Sequence, residues 1–89
     1  MPTTCLLAQN YPNPFNPSTT IEFSIPSRGD VRLIVVDHLG REIAVLADGE
    51  YQAGPHSCQF SGAEHPSGVY MYRLSWDGNT VARRMVLLR

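Results

Sequence analysis

Apolar and polar residues alternate along several short stretches of this chain, a pattern typical of half-buried β-strands. In TTIEFSIP the apolar side chains of Ile21, Phe23 and Ile25 fall on one face, and Pro26 ends the alternation. Five later stretches show the same signal: VRLIVVD, EIAVLA, HSCQF, VYMYRLSW and TVARRMVLLR. No stretch keeps a helical period over the roughly 10–12 residues that a helix needs.

Turn signals separate these predicted strands. Asp37 and Gly40 frame a tight turn, DGEYQAGP and SGAEHPSG are predicted to be loops, and Asp77-Gly78 joins the last two strands as a hairpin. Six to seven short strands at roughly 8–14-residue spacing predict an all-β fold, a small antiparallel β-sandwich.

Two of the predicted strands carry apolar residues on both faces. Ile34 and Val36 lie opposite the main apolar face of VRLIVVD, and the run MVLL before Arg89 is apolar throughout. A strand of this kind needs cover on both sides or a partner.

Residues 10–17, hereafter the proline segment, hold three prolines, three asparagines and two aromatic residues in the order NYPNPFNP. Each proline fixes its own φ and pushes its predecessor toward extended geometry, while asparagine bonds to nearby backbone groups. We therefore expect a rigid lid over one end or edge of the sheet, held there by the rings of Tyr11 and Phe15. The alternative is a stiff spacer between domains.

Composition limits the classes of protein that fit. The 89 residues, 43% hydrophobic and 17% charged, suit one small folded domain. A net charge of −1 gives no reason to expect nucleic acid or an anionic membrane as partner. No run approaches the roughly 20 apolar residues that span a bilayer, so direct membrane insertion is not expected. Residues 1–9 lack the features of a signal peptide and are interpreted as a leader or linker from a parent protein.

The cysteines leave two alternatives open. Cys5 and Cys58 can form one disulfide, which would stabilise the fold by roughly 4 kcal/mol, or remain two buried free thiols. Neither the pairing nor the oligomeric state follows from the sequence.

Catalytic and metal-binding patterns are not recognisable. The sequence has no GxSxG nucleophile elbow, and His56, Cys58 and His65 match no zinc-site spacing. We therefore expect no enzymatic activity, no metal and no cofactor.

Five blocks of sequence follow one another from about Leu7 to Arg89: QNYPNPFNPSTTIEFSIP, VRLIVVDHLGREIAVL, AGPHSCQF, SGVYMYRL and RRMVLLR. In content, order and spacing they resemble the type A C-terminal sorting domain of proteins exported by the bacterial type IX (Por) secretion system. The related Ig-like domain of flagellar hook-capping proteins, which shares the YPNPFNP and LGR elements, is the nearest alternative family.

The resemblance implies an immunoglobulin-like β-sandwich over residues 10–89 that acts as a non-enzymatic address for secretion and cell-surface anchoring. It implies four partners: the type IX translocon, its shuttle protein, a sortase-like peptidase and a cargo domain fused on the N-terminal side. It also implies a route through the periplasm to the outer-membrane surface or the medium.

The resemblance places the family's motifs on particular residues of this chain. They are Asn10, Tyr11, Pro12, Asn13, Pro14, Phe15 and Asn16; Asp37, Gly40 and Arg41; Gly68, Tyr70, Tyr72, Arg73 and Leu74; and Arg84, Met85, Val86, Leu87 and Arg89. The chain departs from the pattern at Val36, where an aromatic residue is usual, and at QFSGAEHPSG, which replaces a common Trp-Asp-Gly form.

The last strand is the predicted recognition element for the export machinery. It comprises Arg84, Met85, Val86, Leu87, Leu88 and Arg89. Because this run is apolar on both faces, we expect it to add as an edge strand to a partner's sheet. The alternative is a central strand in which Val86 and Leu88 are covered by the proline segment. A second class of function is a structural or adhesive Ig-like module, hook-cap-like or carbohydrate-binding, with Tyr51 and Trp76 as candidate contacts.

Overall fold

The computed structural model describes residues 5–89, which form seven β-strands and, within that range, no helix. The strands are β1 (Leu6–Leu7), β2 (Ser18–Ile25), β3 (Gly29–Val36), β4 (Glu42–Tyr51), β5 (Gly54–Ser61), β6 (Gly68–Trp76) and β7 (Asn79–Leu87). The prediction of an all-β fold is confirmed.

The strands form two antiparallel sheets, one in the order β1-β2-β5 and the other in the order β4-β3-β6-β7. The two sheets pack face to face as a small Ig-like sandwich, because each strand turns its alternate apolar side chains toward the opposite sheet. The core is formed by Leu7, Phe15, Ile21, Phe23, Ile25, Val31, Leu33, Val35, Ala47, Phe60, Tyr70, Tyr72, Leu74, Trp76, Met85 and Leu87, with Cys5 beside them.

Strand β4 is longer than the sequence predicts. DGEY, expected to begin a loop, continues β4, where Glu50 pairs with Asp30 and Tyr51 pairs with Gly29. The turn signal Asp48-Gly49 is overridden because its neighbours keep a strand alternation, with Ala47 buried, Asp48 exposed and Tyr51 half-buried. The loop expected there is therefore wrong for these four residues, and also for Gly54 and Pro55, which begin β5.

Part of the predicted leader lies in the sandwich. Leu6 and Leu7 pair with Ser24 and Phe23, and Leu7 is 5% exposed. The leader contributes to the core from Cys5 onward, because β1 adds a third strand to the sheet formed by β2 and β5. Residues 1–4 lie outside the described residues.

The two cysteines are free thiols. Cys5 precedes β1 and Cys58 lies on β5, and β2 separates these two strands in the sheet. Two strand spacings amount to about 9.6 Å, which exceeds the roughly 7 Å limit between the Cα atoms of a disulfide. The disulfide is therefore excluded by the order of strands, and burial raises the pKa of the Cys58 thiol.

The first and last described residues lie at opposite ends of the sandwich. Because β1 runs antiparallel to β2, Cys5 lies near Ile25, at the end that carries the β6–β7 turn. Strand β7 then runs the length of the sheet away from that turn and brings Arg89 to the other end. The longest dimension of the molecule is 39 Å.

Among residues 5–89 there is no helix that is long and apolar enough to cross a membrane.

Candidate functional site

The hydroxyl of Tyr72 anchors the chain just ahead of the proline segment. Tyr72 is fully buried on β6, and its Oη donates to the carbonyl of Ala8 at 2.7 Å and accepts from the N–H of Asn10 at 2.8 Å. Burial raises the pKa of Tyr72, against the opposing effects of the Asn10 hydrogen bond and the nearby charge of Arg83. A residue of one sheet thus holds a segment that begins in the other.

The side chain of Asn10 is buried with its hydrogen bonds satisfied. Its Nδ2 donates to the carbonyl of Pro12 at 3.1 Å and to Oγ1 of Thr19 at 3.0 Å, and its Oδ1 accepts from Gln9 at 2.7 Å. The Thr19 hydroxyl donates to the same Pro12 carbonyl at 2.9 Å. This network fixes the chain where it leaves β1 and enters the proline segment.

Phe15 and Asn13 bind the proline segment to the edge of β7. The Phe15 ring is buried and meets Phe60 edge to face, with ring centroids 6.0 Å apart. Its N–H donates to the Val86 carbonyl and its carbonyl accepts from the Leu88 N–H, both at 3.0 Å, in a parallel pairing with Leu87. The Asn13 side chain accepts from the Val86 N–H at 3.0 Å. The expected lid is present, and it covers a sheet edge.

The expectation that the ring of Tyr11 helps to hold this lid is wrong. Its backbone pairs with Thr20 at 3.0 and 2.9 Å, but its ring is 80% exposed because this pairing turns the side chain away from the core. Four further motif residues are exposed at the surface, Pro12, Asn13, Pro14 and Asn16, and the three bonds to proline in this segment are cis.

Two arginines donate hydrogen bonds to backbone carbonyls of distant segments of the chain. Arg83 donates from Nε to the carbonyl of Leu7 at 2.5 Å and so links β7 to β1 across the side of the sandwich. Arg89 donates from Nη1 to the carbonyls of Ala63 and His65, both at 2.7 Å, and its N–H donates to Ser67 Oγ at 2.9 Å. The last residue is therefore held against the β5–β6 loop.

Asp37, Gly40 and Arg41 form the tight turn between β3 and β4. Asp37 Oδ1 accepts from the N–H groups of Leu39 and Arg41, and its Oδ2 accepts from Arg41 Nε, each at 2.9 Å. The hydrogen bond from the Arg41 backbone is the main reason that the pKa of Asp37 is lowered. Gly40 has a φ of +81°, a conformation that glycine adopts without strain.

The motif residues at the start of β6 close the loop that precedes it. Gly68 pairs with Leu87, and the hydroxyl of buried Tyr70 donates to the Pro66 carbonyl at 2.6 Å. Arg73 lies on the outer face of the same strand, opposite Ile34 and Ala82.

The predicted recognition strand is divided between core and surface. Met85 and Leu87 are fully buried, whereas Arg84, half-buried Val86 and 53%-exposed Leu88 face outward.

The backbone edge of this strand is already occupied. Phe15 and Asn13 bind the N–H groups of Val86 and Leu88 and the carbonyl of Val86, and Gln9 donates to the Arg84 carbonyl at 2.8 Å. While the proline segment is in place, these groups of β7 are not free to bond a partner's strand. The expected addition of this strand to a partner's sheet therefore does not fit the structure. The segment covers the edge of the strand, but it leaves its outer side chains accessible.

Thr19 and Arg83 are structural residues that the sequence analysis missed. Both share the parity of core residues on their strands: buried Thr19 aligns with Ile21, and Arg83 aligns with Met85 but stays exposed while its Nε reaches the Leu7 carbonyl. A polar residue at an inward position predicts a buried hydrogen bond, and this signal was available in the sequence.

The aromatic residues of the alternative carbohydrate-binding function do not form a surface platform. Trp76 is buried in the core at 5% exposure, and Tyr51 packs edge to face on Phe23 and His56. Among residues 5–89, no group of three His, Cys, Asp or Glu side chains is placed to hold a metal ion.

Comparison with protein-family models identifies the family of this domain. Residues 9–88 match the family model described as the secretion system C-terminal sorting domain. The chain belongs to this family. A search of curated proteins found no match.

As a C-terminal sorting domain of the type IX system, the chain is a secretion signal. Domains of this family are typically non-enzymatic. Membership implies a fused cargo, an interaction with the type IX machinery and export to the medium or the cell surface.

Proposed function

We propose that the type IX machinery recognises this sorting domain as a folded sandwich, through the outward-facing side chains of Arg84, Val86 and Leu88. The supporting observation is that the tail is part of the fold. Met85 and Leu87 are fully buried, and Arg89 is bound to the β5–β6 loop.

Recognition of an extended tail would be costly. A partner that pulled residues 85–89 out of the sheet would remove Met85 and Leu87 from the core, and core truncations of this kind cost about 2–5 kcal/mol each. Binding the outer side chains leaves these contacts intact. The partner therefore spends no binding free energy on unfolding.

The translocon, its shuttle and the sortase are the proposed partners, and the cargo domain lies on the N-terminal side of residue 5. The proposed route runs through the periplasm to the outer-membrane surface. The closed core of residues 5–89 supports an independently folded domain, because the sandwich needs no contact with a cargo to complete its core.

The test is a reporter protein followed by the complete 89-residue chain, expressed in a bacterium that carries a type IX system. Leu88→Glu and Arg84→Glu change exposed side chains, so we expect a folded fusion that is retained in the periplasm. The matched control is Gln59→Glu, which adds one carboxylate to the outer face of the other sheet and is expected to be exported.

Two results would overturn the proposal. One is normal export of both Leu88→Glu and Arg84→Glu. The other is normal export of Leu87→Asp, which introduces a charge into the core and unfolds the sandwich. Deletion of residues 85–89 is a weaker test, since it removes the recognition side chains and two core residues at once.

A further inference from the structure

The outer face of the four-stranded sheet carries a continuous apolar patch. Neighbouring strands place its members side by side: Val45 pairs with Ile34, Val36 with Met71, and Val69 with Val86. These six residues, hereafter the outer patch, are Ile34, Val36, Val45, Val69, Met71 and Val86. The packing is close enough that Ile34 is only 3% exposed although it lies on an outer face.

The opposite outer face of the molecule is largely polar. On the three-stranded sheet the outward positions of β2 and β5 are Ser18, Thr20, Glu22, Ser24, Ser57, Gln59 and Ser61, with Pro55, and the outward residue of β1 is Leu6, which is 57% exposed. Solubility alone therefore does not explain the outer patch, where Val45, Val69 and Met71 are each more than 40% exposed. A contiguous apolar area on one face marks a site of interaction.

Two arginines at the patch have no charged partner. Arg73 lies beside Ile34, and Arg84 lies opposite Met71. In the chain from residue 5 onward neither guanidinium forms an ion pair or a hydrogen bond, whereas Arg28, Arg32 and Arg41 each pair with a carboxylate. A complementary surface would supply carboxylates beside apolar side chains.

We propose that the outer patch is a docking surface for a protein of the export machinery whose contact region is apolar and flanked by carboxylates. This inference rests on the proposed function and extends it from the last strand to β3, β4 and β6. Val86 belongs to both surfaces and Arg84 borders the patch opposite Met71, so one partner can contact the last strand and the patch together.

Two other occupants fit the patch less well. A second copy bound face to face would offer Arg73 and Arg84 few free carboxylates, because Glu42, which lies beside Val36 of the patch, already pairs with Arg32. A lipid surface is bound by side chains that insert into it, typically large aromatic residues, and the patch is a flat group of valine, isoleucine and methionine side chains.

The test uses Met71→Glu and Val69→Glu in the same reporter fusion, because both positions are exposed and lie outside residues 84–89. We expect the exported fraction to fall about tenfold, the effect of losing about 1.4 kcal/mol of binding. Gln59→Glu is again the matched control, and thermal unfolding of each purified chain verifies that the fold is retained.

The outcomes separate this inference from the proposed function. If Met71→Glu and Val69→Glu are exported normally while Leu88→Glu and Arg84→Glu are retained, the outer patch is not a docking surface and the proposed function stands. If all four variants are exported normally, both fall.

Measurements on the purified chain distinguish a partner protein from a second copy and from a lipid surface. We expect it to remain a monomer in sedimentation velocity and not to pellet with vesicles of anionic phospholipid. Self-association or vesicle binding that Met71→Glu abolishes would overturn the choice of a partner protein.

Discussion

The two long sides of the sandwich are closed in different ways. On the side of β1 and β7, directed hydrogen bonds cross between the sheets: Tyr72 binds the backbone around Asn10, Arg83 binds Leu7, and Phe15 pairs with Leu87. On the side of β4 and β5 the closure is made mainly by rings, with a hydrogen bond from Cys58 Sγ to the Leu46 carbonyl at 3.7 Å.

Those rings are Phe23, Tyr51 and His56, whose centroids lie 5.0–5.9 Å apart. Ring packing tolerates several arrangements, whereas a buried hydrogen bond has one good geometry and is expensive to leave unmade. The side of β1 and β7, hereafter the polar side, therefore defines where the proline segment and the last strand lie. The side of β4 and β5, hereafter the aromatic side, mainly contributes burial.

The largest expected effect is at Phe15, on the polar side. Phe15→Ala empties a fully enclosed site against Phe60, so we expect a loss of about 3–5 kcal/mol in the free energy of unfolding, measured by denaturant titration. Tyr11→Ala is the matched control in the same segment, and its exposed ring predicts a change within about 0.5 kcal/mol. Similar losses at Tyr11 and Phe15 would contradict the placement of the segment.

The next effect is expected at Tyr72. Tyr72→Phe removes one oxygen atom but leaves the Ala8 carbonyl and the Asn10 N–H without their partner, at a cost of about 1–3 kcal/mol.

The pH dependence supplies a second measurement. Because the folded pKa of Tyr72 is raised, its contribution to stability is complete below the unfolded value of about 10 and is lost as the pH rises through the folded pKa. We expect alkaline unfolding to be less steep in Tyr72→Phe than in the parent chain. An identical slope would show that the hydroxyl is accessible to solvent.

The smallest effect is expected on the aromatic side. Tyr51→Leu keeps an apolar side chain and loses two edge contacts, so we expect about 0.5–1.5 kcal/mol in the same denaturant titration. The comparison is sharp because this change alters many more atoms than Tyr72→Phe. A greater loss at Tyr51 than at Tyr72 would reverse the assignment of the two sides.

Alternation predicts most of the fold, because inward side chains recur every second residue whatever the tertiary context. It predicts β2, β3 and the strands of the β6–β7 hairpin. Turn residues predict the turn at Asp37 correctly but fail at Asp48-Gly49, where pairing with β3 outweighs the local turn preference.

The site is less predictable, because it depends on contacts between distant parts of the chain. Nothing local distinguishes Tyr11 from Phe15 as a core residue, and only the pairing with Thr20 turns the Tyr11 ring outward. Coverage of the β7 edge likewise joins residues more than 70 positions apart, such as Asn13 and Val86. The outer patch combines outward-facing residues from four strands, and strand order had to be known before they could be placed together.

The opposite placement of Cys5 and Arg89 separates the point where a fused protein would join from the end of the last strand. A protein joined ahead of residue 5 is held up to 39 Å from the far end of the domain, where Leu88 and Arg89 lie. Fused proteins of very different size and charge could then carry the same sorting domain, since most of their volume would lie away from the residues that a partner contacts.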